Sequence, residues 1–249
     1  MEAYVINMAQ STQRWAYMQG YLREKGLEPT RIDAIDGRVL SATEQLRHYD
    51  EKTNKKDYFL PLKAAEVGCF LSHKKAMETF LEQSSKPYLL LLEDDIEFCV
   101  DISSAVPGWV EVLSSPSPTM LKLYTKRSVS GGVVTTGSYG QIVRPHLVPL
   151  GTPAQVLNRA AVKKLLLLCE RFSMPVDVAY QYWWQHGVCI LTTSPGQVRE
   201  VSQSLDGSSI GGSQGLTQWQ KVVRELGRSW FRIKLLVSSY WHYFKTRSV

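Results

Sequence analysis

Tyr88-Leu89-Leu90-Leu91-Leu92-Glu93-Asp94-Asp95 is the stretch that decides the reading of this chain. An unbroken apolar run needs burial on both faces, so it predicts a central strand. Three carboxylates at its carboxyl end cannot be buried unpaired, because charge removed from water without a partner is strongly destabilising. They must face a cleft, a cation or a base, or else cap the strand against solvent and lysines. In open α/β sheets, ligands bind at the carboxyl ends of the strands. Alternation predicts that Glu93 and Asp95 share a side and that Asp94 points away. Hard oxygen ligands of this kind suit Mg2+ or Mn2+ held against a diphosphate.

Outward from that strand the chain alternates in type. Upstream, Tyr4–Ile6 predicts a first strand ending at Asn7, and Ser11 or Thr12 can cap a helix that runs to about Lys25 before Gly26. Thr30–Ala34 predicts a second strand closed by Asp36-Gly37, and residues 39–56 look polar and irregular. Val67, Phe70, Leu71, Met77, Phe80 and Leu81 repeat at helical spacing over Ala64–Glu82. Downstream, strands are predicted at Met120–Tyr124, Gln155–Leu157 and Val188–Thr192, with a hairpin or loop region over Gly131–Val143. Helices are predicted from an Asn158 cap to Cys169 and over Val176–Gln185. This order predicts an α/β fold with a mainly parallel central sheet. The Ser- and Gly-rich residues 202–216 suggest a mobile loop.

Composition narrows the class. A chain of 249 residues, 44% hydrophobic and 21% charged, can bury a sizeable core, which excludes wholesale disorder. The net charge of +6 is concentrated at the end: Arg228, Arg232, Lys234, Lys245 and Arg247 follow Leu226 with no acidic residue among them. The preceding body is nearly neutral, which argues against a nucleic-acid-binding surface. Cys69, Cys99, Cys169 and Cys189 form no CxxC pair and sit in or beside apolar stretches, so reduced thiols and a cytosolic compartment are expected. The first ten residues do not read as a secretory signal, and the longest apolar runs are too short to span a bilayer.

The basic end has its own pattern. Trp219, Val222, Val223, Leu226, Trp230, Ile233, Val237, Tyr240, Trp241 and Phe244 recur in steps of three and four, one helical face. Tryptophan on that face with Lys and Arg nearby predicts an interfacial helix over residues 217–247 on an anionic membrane surface. Packing on the body of the protein or on a second subunit is the alternative.

The acidic segment resembles the DxD-like motif of GT-A nucleotide-sugar glycosyltransferases. Its surroundings resemble successive blocks of glycosyltransferase family 25, which includes bacterial lipooligosaccharide galactosyltransferases and glucosyltransferases. The blocks are Val5-Ile6-Asn7 with Arg14, Asp33-Ala34-Ile35-Asp36-Gly37, Glu66-Val67-Gly68-Cys69-Phe70-Leu71-Ser72-His73 and Leu92-Glu93-Asp94-Asp95. Later ones are Gly151-Thr152, Pro175-Val176-Asp177, Pro195 with Gln197, and Ser208-Ser209-Ile210. Gln155 departs from the family by standing where an aromatic residue is common.

The resemblance implies a GT-A-like, Rossmann-related catalytic domain over 1–212, with a mixed central sheet flanked by helices; the charge and apolar pattern leaves a basic amphipathic tail over 213–249. The resemblance also implies an inverting, metal-dependent transfer of a hexose, galactose first and glucose next, from a UDP-sugar to a hydroxyl of a lipooligosaccharide or other surface glycan. Asp95 would hold Mn2+ or Mg2+, with Glu93 and Asp94 serving the ribose and outer contacts. Asn7, Arg14, Asp33 and Asp36 would line the nucleotide side, His73 would support that pocket, and Asp177 would be the base. By spacing alone Arg14 is an ordinary helix residue, His73 a structural histidine and Asp177 a helix cap. A lipid-linked acceptor would place the chain peripherally on the cytoplasmic face of the cell membrane. The competing functions are a catalytically silent glycan-binding protein of the same fold and a nucleotidyltransferase. The latter usually carries a glycine-rich loop after its first strand, where Asn7-Met8-Ala9-Gln10-Ser11 has no glycine.

Overall fold

The computed structural model describes residues 1–137, 139–201 and 218–247. The 202–216 loop, the 212/213 boundary and the Ser208-Ser209-Ile210 block lie outside the described residues, as do the side chains of Trp219, Val222 and Val223. In chain order the elements begin β1 (Glu2–Asn7), α1 (Thr12–Glu24), β2 (Pro29–Asp33), α2 (Ala42–His48), α3 (Glu51–Asp57), α4 (Ala64–Gln83) and β3 (Tyr88–Glu93). Next come β4 (Ile96–Phe98), α5 (Ile102–Leu113), β5 (Thr119–Lys122), β6 (Gly131–Gly137), β7 (Gly140–Pro145) and β8 (Ala154–Asn158). The chain continues through α6 (Arg159–Leu168), α7 (Val176–Gln181), α8 (Trp183–His186), β9 (Cys189–Ser194), β10 (Val198–Glu200) and α9 (Gln218–Arg247).

The fold is α/β, with an eight-stranded sheet in the order β2-β1-β3-β8-β5-β9-β7-β6 and a small β10-β4 ribbon. β1 pairs in parallel with both β2 and β3, and β5 with β9. β8 runs antiparallel to β3 and β5, and β7 antiparallel to β9 and β6. The sheet is therefore mixed but mostly parallel, with β1, β2, β3, β5, β6 and β9 running one way and only β7 and β8 reversed. A strand buried on both faces has the same composition whichever way it runs. Its direction is set by the connection, and the chain reaches β8 at the edge where β3 ends, with Ala154 beside Leu92.

β3 shows why its sequence is almost wholly apolar. Leu89 and Leu91 enter a core with Phe70, Met77, Val162 and Tyr180, from α4, α6 and α7. Leu90 and Leu92 enter a second core on the opposite face with Met18 and Leu22 of α1 and Trp109 and Leu113 of α5. Four leucines in succession are thus two leucines for each core.

Several elements depart from the sequence reading. α5 was not expected; Asp101 caps it by accepting from Ser104 N–H, and Pro107 lies inside it. The polar 39–56 stretch carries α2 and α3, which bury almost nothing and rely on their caps: a Ser41–Glu44 capping box and Asp50 accepting from Thr53 N–H. The helix predicted over Val176–Gln185 breaks at Tyr182 into α7 and α8. Asn158 does cap α6, through Ala161 N–H.

α9 docks on the body by a stripe that the sequence reading did not select. Among its described side chains, Phe231, Leu235, Ser239 and Tyr243 are the buried ones, each one turn on from the last. Phe231 packs against Tyr58 and Phe59, and Ser239 Oγ donates to the His146 carbonyl at 2.6 Å. The face read from the sequence is the one left outward: Trp230 is 71% and Trp241 58% exposed, alongside Leu226, Ile233, Val237 and Phe244.

Candidate active site at the carboxyl edge of the sheet

β1, β2, β3, β5 and β9 run in one direction, so Asn7, Asp33, Glu93 and Lys122 end their strands at one edge. A cleft of about 810 Å³ opens there, a volume that suits a ligand of drug or nucleotide size. Met8, Arg14, Asp36, Cys69, His73, Glu93, Asp94, Asp95, Lys126 and Glu200 are among its walls.

β3 stops at Glu93, so strand alternation does not carry to Asp94 and Asp95, which form the turn into β4. Asp94 does not simply point away. Asn7 Nδ2 donates to its Oδ2 at 2.6 Å and Arg14 Nη1 to its Oδ1 at 3.0 Å. This carboxylate ties the end of β1 and the start of α1 to the end of β3. Asp95 lies 3.8 Å from the same Arg14 nitrogen. Burial first, then the negative charges of Glu93 and Asp94, push its pKa up to about 6, against the opposing pull of Arg14. A carboxylate crowded in this way would be relieved by a cation, so the residues present fit a hard dication at Asp95.

Glu93 faces the other wall. Its Oε1 accepts from Thr152 Oγ1 at 3.1 Å and lies 3.6 Å from His73 Nε2. His73 is buried in α4, and its Nδ1 sits 3.2 Å from Gln155 Nε2. Gln155 is itself fully buried on β8 beneath the ring, so the residue that departs from the family pattern supports His73 and is not on the cleft wall. Beside them is Cys69, whose thiol pKa is raised by burial and then by the charges of Glu93, Asp177 and Glu66.

Asp36 reaches the cleft with its carboxylate held by Arg38, through two side-chain bonds of 2.8 Å, which keeps its pKa below the usual carboxylate value. Asp33 does not reach it. That side chain is exposed and lies 3.2 Å from Arg31, while its carbonyl accepts from Lys75. Asp177, at the start of α7, stands off the cleft wall: Oδ2 accepts from Gly151 N–H at 3.0 Å and Oδ1 from Val178 N–H at 2.8 Å. The structure thus gathers Asn7, Arg14, Asp36, His73, Glu93, Asp94 and Asp95, and sets Asp33 and Asp177 apart.

Lys122 escaped the sequence reading. It is fully buried at the end of β5 and donates to the Gly151 carbonyl, opposite the Asp177 contact on the same glycine. Burial lowers its pKa to about 8, although Asp177 and Glu93 pull the other way. The available signal was a lone charge inside the apolar run Met120-Leu121-Lys122-Leu123-Tyr124.

The sequence profile described as Glycosyltransferase family 25 (LPS biosynthesis protein) matches residues 1–111, a stretch from β1 through most of α5 that contains all seven gathered residues. This part of the chain belongs to glycosyltransferase family 25. A rat protein named "Probable inactive glycosyltransferase 25 family member 3" is 34% identical over 184 residues, 71% of this chain and 32% of its own length. Human "Procollagen galactosyltransferase 2" is 28% identical over 104 residues, 39% of this chain and 16% of its own. The chain spans less than a third of the length of these family 25 relatives. Among solved structures, a glycosyltransferase involved in the glycosylation of the major capsid of PBCV-1 has a TM-score of 0.42 and 13% identity, covering 78% of this chain and 81% of that one.

Proposed function

We propose that the cleft binds a UDP-sugar and that the chain transfers its hexose, with inversion, to a hydroxyl of a surface glycan such as a lipooligosaccharide. The observation that carries this reading is the crowded Asp95 carboxylate in a nucleotide-sized cleft, with Arg14 beside it and Lys126 elsewhere in the lining. A dication, Mn2+ or Mg2+, held by Asp95 would neutralise the departing diphosphate. Arg14, kept in place by Asp94, would add positive charge on the same side, and Asp36 would face the nucleotide from the opposite wall. As the acceptor oxygen bonds to the anomeric carbon, the bond to UDP would break and Asp177 would take the hydroxyl proton. Lys122 and the Gly151 loop would hold Asp177 for that task. Galactose is the first choice of sugar, in keeping with the name of the human relative, and a lipopolysaccharide-type acceptor is in keeping with the family's description.

The outward face of α9 extends this reading. Trp230, Trp241 and Phe244 with Arg232, Lys234 and Lys245 match an anionic lipid surface in both polarity and charge. The four free cysteines are in keeping with a cytoplasmic side. Among the described residues no helix is long and apolar enough to cross a membrane. The Trp230→Ala/Trp241→Ala protein should lose sedimentation with anionic vesicles and keep its fold; equal binding would remove the membrane from the proposal.

The deciding experiment is hydrolysis and transfer of UDP-galactose and UDP-glucose with Mn2+, Mg2+ or EDTA. Turnover should require the dication and fall about 10²–10³-fold in Asp95→Asn, and Asp177→Asn should bind UDP and metal yet transfer almost nothing. A binding-only protein is the second reading, favoured by the two backbone donors that already occupy Asp177. UDP binding with no turnover of any donor would establish it.

A further inference from the structure

α4 presents Cys69 and His73 one turn apart toward the end of β3. The Cys69 sulfur, a His73 ring nitrogen and a Glu93 carboxylate oxygen all lie within 4.8 Å of one another. The 3.6 Å between His73 Nε2 and Glu93 Oε1 is long for a hydrogen bond. It is close to the separation of about 3.3 Å for two ligands on bonds of ~2.0–2.1 Å at tetrahedral angles.

Nε2 is also short of a partner. His73 is 1% exposed, and among the described residues Nε2 has no hydrogen-bond partner. Its sister nitrogen Nδ1 faces the Gln155 amide, whose Oε1 is buried and unpaired as well. The two ends of an amide fill nearly the same space. With Oε1 turned to the ring, Nδ1–H donates to it, and Nε2 carries a lone pair toward Glu93 and Cys69. One rotation pairs the stranded oxygen and sets the tautomer that metal ligation requires.

We propose that Cys69, His73 and Glu93 form a binding site for a thiophilic dication of the zinc class, separate from the hard-ion position at Asp95. Thiolate and imidazole favour zinc or cobalt over magnesium. Binding forms the metal–sulfur bond and releases the Cys69 thiol proton to solvent. All three residues line the cleft, so a fourth coordination position faces it, open to water or to a substrate oxygen. The site stands independently of the UDP-sugar reading.

Co2+ titration of the metal-free protein tests it. One equivalent should bind and produce thiolate-to-cobalt absorption in the near ultraviolet, which Zn2+ abolishes. Cys69→Ser should remove that band, Glu93→Gln should weaken binding about 10-fold or more, and Asp95→Asn should leave both intact. Absence of the band overturns the site, and so does a band that survives Cys69→Ser, which would point to Cys99, Cys169 or Cys189. X-ray absorption of the zinc-loaded unmodified protein needs no variant: one sulfur in the zinc shell supports the site, and a sulfur-free shell overturns it. Failure of Mn2+-dependent sugar transfer would leave the cobalt band unchanged, and loss of the band would leave Asp95 in its role.

Discussion

Glu93 and Asp94 are adjacent in the chain and sit in opposite circumstances. Asp94 is compensated by the protein itself, with a short bond from Asn7, another from Arg14 and little contact with water. Glu93 has one hydroxyl donor, an unsatisfied imidazole nitrogen across from it and a thiol nearby. A carboxylate whose charge the fold has already balanced is part of the scaffold. One whose surroundings contain stranded polar atoms is arranged for something that arrives from outside.

That contrast can be broken by measurement. The largest effect should come from Asp94→Ala, which removes the carboxylate that accepts from both Asn7 and Arg14 and should cost about 3 kcal/mol in urea unfolding. Glu93→Gln in the metal-free protein should stay within ~1 kcal/mol, and equal losses would abolish the distinction.

His186 supplies a reference for His73, because both its nitrogens are engaged: Nδ1 accepts from Val188 N–H, and Nε2 lies 3.3 Å from the Tyr180 carbonyl. Burial lowers its pKa to about 4. The unfolded chain therefore binds the extra proton first as pH falls. Stability present above about pH 6.5 should decline by about 3 kcal/mol on the way to pH 4, and His186→Asn should flatten that slope.

Asp95 should show the opposite sign. Its raised pKa means that its charge opposes folding, fully so above about pH 6. Asp95→Asn should thus stabilise the metal-free protein by about 2 kcal/mol at neutral pH, a gain that fades below about pH 4, even as it removes metal-dependent turnover. A variant less stable than its parent at pH 7.5 would contradict that account. Arg14→Lys should cost about 1 kcal/mol, since the charge remains while the geometry shared between Asp94 and Asp95 is lost.

Much of this was legible in the sequence. The Leu89–Leu92 run named the central strand, and the acidic triplet named the cleft edge, because burial and charge act locally and leave a composition behind. Strand direction was not legible, since β8 reads the same either way. Asp33 and Asp36 look alike as acids beside a turn, yet only Asp36 faces the cleft, and nothing in the local sequence says which loop residue turns inward. On α9, ten apolar positions outlined one face convincingly, while the docking stripe of Phe231, Leu235, Ser239 and Tyr243 was overlooked. A stripe interrupted by serine is a weak periodic signal, and here the Ser239 bond to His146 replaces the missing apolar contact.

The wall that carries Cys69 and His73 meets the Asp36 loop at two glycines. A side-chain carbon on Gly68 would fall 2.4 Å from the Ile35 carbonyl oxygen and 2.5 Å from the Gly37 nitrogen, and one on Gly37 would strike the Ala64 carbonyl. Main chain therefore rests directly on main chain, with no rotamer in between to absorb a change. The width of the opening on that side is a property of the backbone, whereas its polarity is a property of the lining. The selectivity of the cleft can be retuned at Asp36 or Cys69 without changing its gauge, and a single added methyl at position 68 would change the gauge while leaving every lining group as it was.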